Sequence, residues 1–117
     1  MIKLFSKRYD AINYHCVHFV VDVWMKLTGH DLSCQFEPLL LPVLQVHPVP
    51  AIWEGFVEIN EPESPCVVLM RSGTNEPHMG VFSNGRVLHL RETGPHSAVL
   101  PQLRLEYKKM RFFICEN

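Results

Sequence analysis

From residue 16 to residue 27 the apolar positions recur at Cys16, Phe19, Val20, Val23, Trp24 and Leu27. This i, i+3, i+4, i+7 spacing predicts an α-helix with one buried stripe. His15, His18, Asp22 and Lys26 fall on the other face, where His18 and Asp22 are spaced to pair at i, i+4. Asn13 is of a residue type that caps a helix start, and Gly29 of the type that stops one. From His30 to about Pro50 the periodicity fails. Pro38, Pro42, Pro48 and Pro50 interrupt the leucines and leave room for a short helical turn at most. Residues 30–60 are therefore expected to form an irregular, Pro-rich insert packed over the core. Within it, 51–60 carries Trp53, Phe56, Val57 and Ile59 and fits either a short helix or an edge strand.

The second half has the period of strands. Cys66-Val67-Val68-Leu69-Met70 is a continuous apolar run, as in a buried strand. His78-Met79-Gly80-Val81-Phe82-Ser83 and Arg86-Val87-Leu88-His89-Leu90-Arg91 flank Asn84-Gly85, a strong two-residue hairpin signal. Gly94-Pro95 breaks the chain; a strand is expected near 98–100 and a closing one at 110–115. The order predicts an α+β domain spanning 1–117, with its N-terminal helix packed on a four- to five-stranded antiparallel sheet.

Composition bounds the function more than it points to one. Apolar content of 47% and charged content of 20% are ordinary for a globular chain, and 117 residues suffice for one core. The net charge is -1 and the basic residues look scattered, so no nucleic-acid surface is expected. The N-terminus lacks the apolar run of a signal peptide, and no segment approaches membrane-spanning length. A chain made in the cytoplasm keeps its four cysteines as thiols, and none is spaced as C-x-x-C.

Candidate chemistry begins with Cys16. A thiol on the first turn of a helix meets unpaired amides and the positive end of the dipole, which favour its anion. The hairpin adds a base. If Asn84-Gly85 is a type I′ turn, Gly80 lies opposite His89, and His78, Gly80 and Phe82 share a face with Val87, His89 and Arg91. His78 and His89 are then diagonal neighbours about 7–8 Å apart at Cα, with Gly80 leaving space for the His89 ring to tilt. This arrangement suits a general base and its orienting partner.

These residues resemble the NlpC-type cell-wall cysteine peptidases, which have a compact papain-like fold. The matching pieces are Tyr14-His15-Cys16-Val17-His18-Phe19-Val20, the apolar strand at 66–70, His78-Met79-Gly80-Val81-Phe82 and Asn84-Gly85-Arg86-Val87-Leu88-His89. The resemblance implies Cys16 as nucleophile, His78 as base in a thiolate–imidazolium couple, and His89 as the orienting residue. It also implies an amide in a peptidoglycan stem peptide as substrate, with no cofactor. Tyr14 and Tyr9 are then candidates for a second oxyanion donor, and His15 for the pocket lining. Where the family carries Asp-Cys-Ser-Gly, this chain has His15-Cys16-Val17-His18, so the triad transfers better than the substrate pocket. Small size and the missing signal peptide are similar to peptidases encoded with phage tail genes, which implies delivery by tail proteins and a place in the virion tail. In a related amidase branch the third residue is a carboxylate or amide; His89 argues against it, and Glu92 is expected too far along the strand, on the opposite face.

Two other classes are compatible with the same residues. One is a zinc site built from Cys16, His78 and His89, or from His30-x-x-x-Cys34. The other is a tail-assembly protein that keeps the fold without turnover. Cys34, Cys66 and Cys115 are expected to be structural.

Overall fold

A computed structural model of the chain describes residues 4–40, 55–72 and 77–115. The apolar stripe forms helix α1 (Cys16–Thr28), which buries Val17, Phe19, Val20, Val21, Val23 and Trp24. Leu27, expected on that stripe, is 36% exposed; the buried face turns instead toward Val17 and Val21. Gly29 ends the helix with φ 77°, and its N–H donates to the Met25 carbonyl, as its position predicted. The insert contributes a 3-10 turn at Glu37–Leu40. Its residues 41–54 lie outside the described segments.

Among the described residues six strands follow: β1 (Phe56–Ile59), β2 (Cys66–Arg71), β3 (His78–Ser83), β4 (Arg86–Arg91), β5 (Gly94–Val99) and β6 (Lys109–Cys115). All pairings are antiparallel, in the order β1-β6-β2-β3-β4-β5. The fold is thus α+β, but the four to five strands expected are corrected to six. Within the described part of 51–60, the open choice resolves as the edge strand β1 over Phe56–Ile59. On the other edge, the Gly94-Pro95 step read as a break opens β5, where an edge position tolerates a residue without an N–H.

The strand expected near 98–100 is found at Ala98 and Val99, the end of β5, while Leu100 instead begins a second helix, α2 (Leu100–Glu106). Proline in its first turn occupies a position whose N–H has no helical partner anyway, and Leu103, 2% exposed, anchors it. The β3–β4 hairpin has the expected register. Asn84 and Gly85 both adopt positive φ, 52° and 81°, as a type I′ turn requires, and Ser83 faces Arg86.

Alternation gives the sheet two buried faces. Val67, Leu69, Met79, Val81, Leu88, Leu90 and Phe113 pack against α1. Val68, Met70, Val87, Ala98 and Phe112 pack with Leu103 of α2 on the other side. No helix among the described residues is long and apolar enough to cross a membrane.

Candidate active site

The start of α1 is held by histidines. His15, not Asn13, is the N-cap: its Nδ1 accepts from the Val17 N–H at 3.3 Å, and the His15 N–H donates to Nδ1 of His18 at 3.1 Å. This is a capping box with two imidazoles in the roles usually taken by hydroxyl and carboxylate. Asn13 instead sits in a turn closed by the Asp10 carboxylate, which accepts from the amides of Ile12 and Asn13. The pairing expected between His18 and Asp22 is replaced by Tyr14, whose hydroxyl donates to the Asp22 carboxylate at 2.5 Å. Burial, and then His15, hold His18 below its ordinary value, which keeps its ring neutral and able to accept. Cys16 follows the cap as the first helical residue, half-buried.

The hairpin brings the other two expected residues together. Nε2 of His78 lies 2.9 Å from Nδ1 of His89, with the rings edge to face. Gly80 stands opposite His89 in the register. A methyl there would come within 2.9 Å of the Leu88 carbonyl oxygen and 3.1 Å of the His89 Cβ, so the position has room only for glycine. His89 is 1% exposed and pairs in turn with His96 across β4–β5; the two rings are 5.8 Å apart. The imidazole of His96 lies 2.8 Å from the Thr93 hydroxyl.

By alternation His78 and His89 belong to the α2 face of the sheet, whereas Cys16 comes from the α1 side. Cys16 and His78 nevertheless reach one open cleft of about 390 Å³ at the sheet's end, whose walls come from both faces, with His89 behind His78. Cys16 and His78 both line it, with Tyr9, Arg91, Glu92 and Tyr107 among the other walls. Of the three residues considered for the oxyanion or the pocket, Tyr9 is at the cleft. The Tyr14 hydroxyl donates its hydrogen bond to Asp22, and His15 is 2% exposed as a cap, so neither lines it. Glu92 does line the cleft, but the group on Nε2 of His78 is His89.

Tyr107 is the residue that sequence reasoning missed. It follows α2, its N–H donates to the Leu103 carbonyl at 2.8 Å, and its ring stacks on His78 with centroids 6.0 Å apart and planes 11° apart. Nothing in its local pattern marks it, because α2 itself was not foreseen. Its hydroxyl is pushed up, mainly by burial.

The electrostatics of the pair oppose positive charge. Burial first, then His89, Arg91 and His96, hold His78 down at about 3. Burial, then His96 and Arg91, hold His89 down at about 4. Both rings are held neutral at neutral pH, which disfavours the imidazolium half of the couple expected. Of the remaining cysteines, Cys34 is exposed, whereas Cys66 is buried and its thiol is pushed up to about 11 by desolvation. The Cys115 thiol is raised as well, again chiefly by burial.

Among the described residues, no cluster of three or more His, Cys, Asp or Glu side chains is arranged to hold a metal ion. His30, half of one zinc pattern considered above, lies instead 3.2 Å from the Gln35 side-chain oxygen. Compared with protein-family models, curated proteins and solved structures, the chain matches none.

Proposed function

We propose that the protein is a cysteine hydrolase of amide bonds, with an NlpC-type, papain-like arrangement of Cys16, His78 and His89. The observation that carries this reading is the 2.9 Å contact of His78 with His89 at a cleft that Cys16 also lines. With Nε2 of His78 donating to His89, Nδ1 is the nitrogen left to accept a proton. As the Cys16 sulfur attacks the carbonyl carbon, its proton passes to Nδ1. The oxyanion is held by the Cys16 N–H, at a helix position whose amide points out of the helix end. Tyr9, which lines the cleft together with Tyr107, is the phenol assigned as a second donor. The C–N bond then breaks as His78 returns the proton to the leaving amine, and a thioester remains. An imidazolium in surroundings that disfavour it is a strong acid, which suits this step. His78 next takes a proton from water, whose oxygen attacks the thioester and frees Cys16.

The substrate proposed is an amide in a peptidoglycan stem peptide, reached through delivery by a phage tail. This follows from the resemblance of the nucleophile and hairpin segments. An inactive tail-assembly protein with the same fold is the second reading, favoured by the absence of the Asp and Ser that flank the family's nucleophile.

Thiol alkylation separates the two. At neutral pH iodoacetamide should modify Cys16 faster than the exposed Cys34, and His78→Ala should remove the difference. Cys66 and Cys115, both raised, serve as slow internal references. Labelling of Cys16 no faster than Cys34 would contradict an activated thiol.

A further inference from the structure

Four of the chain's eleven Lys and Arg residues, Arg104, Lys108, Lys109 and Arg111, line a second cleft of about 450 Å³ together with Tyr107 and Met110. The corner where α2 turns into β6 gathers them, which corrects the expectation of scattered basic residues. Two nearby cations are already matched. Arg111 makes a two-pronged contact with Glu58 at 2.8 and 2.6 Å, and Glu106 faces Arg91 at 3.2 Å. Arg104, Lys108 and Lys109 form no ion pair among the described residues, so the positive potential of the cleft is theirs.

Tyr107 is a wall of this cleft and of the one that holds Cys16 and His78. One side chain therefore separates the site of attack from three unmatched cations. We infer that the cleft between α2 and β6 is a substrate subsite for a carboxylate-bearing peptide segment. The inference rests on the reading of Cys16 as the nucleophile on an amide. A peptide with its scissile carbonyl at Cys16 enters this cleft when it continues past Tyr107, and the anions that an unmodified peptide carries are carboxylates. Such contacts, made by exposed side chains, are individually modest and screened by salt. They select substrates and raise encounter rates more than they tighten the complex.

The probe is hexaglutamate, titrated calorimetrically into the full chain carrying Cys16→Ala, at low and high salt. Hexaglutamine and polyphosphate of matched charge serve as controls. Hexaglutamate should bind, weaken with salt, and lose about tenfold in affinity in the double variant Lys108→Glu, Lys109→Glu. Arg104→Gln, which removes one charge without reversing it, should lose less and guards against misfolding of the double variant. In the chain with Cys16 intact, N-iodoacetyl-hexaglutamate should label Cys16 faster than iodoacetamide does, and that rate ratio should fall by about tenfold in the double variant. Hexaglutamate binding that is absent, or indifferent to these substitutions, overturns the subsite, as does tighter binding of polyphosphate. Charge-dependent hexaglutamate binding together with a Cys16 no more reactive than Cys34 supports the anion site and overturns the nucleophile instead.

Discussion

Gly80 and His89 face each other across the β3–β4 hairpin, and a Cβ at Gly80 would come within 3.1 Å of the Cβ that carries the His89 ring to His78. Gly80→Ala should therefore do more than crowd a strand. The added methyl meets the backbone oxygen of Leu88, which cannot move without disturbing the pairing. Overpacking of this kind costs about 1–3 kcal/mol. Turnover should fall further than the melting temperature predicts, because His89 is displaced. A thermal melt and an activity assay on the same preparation check both.

His89→Gln should keep part of the activity, since an amide oxygen can still accept from Nε2 of His78. His89→Ala should lose more, by about 10²-fold or beyond in kcat with KM little changed, because the defect is in ring orientation. A fully active His89→Ala enzyme removes His89 from the mechanism and makes His96, its cross-strand neighbour, the next residue to test.

Stability should depend on pH through the same pair. Unfolded histidines titrate near 6.5, whereas the folded rings are held at about 3 and about 4. Between these limits the unfolded chain binds more protons, so protonation favours unfolding. The contribution of the pair is fully present above pH 6.5 and is lost as the pH falls toward 4 and then 3. Urea titrations at successive pH values should show this decline, with a shallower slope in His89→Gln. An equal slope in that variant would place the acid sensitivity elsewhere.

The cap makes a separate prediction. His15→Ala removes the acceptor for the Val17 N–H and should cost about 1–2 kcal/mol, the upper part of the range for caps. His15→Asn, which restores an acceptor, should recover much of it. Because Cys16 is the next residue, alkylation of Cys16 should change with the cap.

Much of this arrangement is visible in the residues themselves. The stripe of α1, the apolar run of β2 and the Asn84-Gly85 turn are strong local signals, and the turn's register alone places His78 beside His89. What escapes is set by tertiary context. Helix α2 has seven residues, of which Leu103 is its buried anchor while Leu105 is 87% exposed, so it shows no stripe. The β5 strand opens with Gly94-Pro95, which only an edge position tolerates. Histidine is not a preferred N-cap, so the His15–His18 box had no sequence signature. Tyr107 reaches His78 because α2 folds back over the sheet, and missing the helix meant missing the tyrosine.

Cys16 lies at the edge of the α1 stripe and is half-buried, so Cys16→Ala should fold and cost only about 1 kcal/mol. That makes it a clean control for the most direct measurement: incubating purified protein with peptidoglycan and weighing the released fragments by mass spectrometry. Fragments that differ from intact stem peptides by hydrolysis of one amide bond are expected, absent with Cys16→Ala and with His78→Ala. No release by the wild-type chain, or release that persists in Cys16→Ala, would contradict the cysteine hydrolase reading.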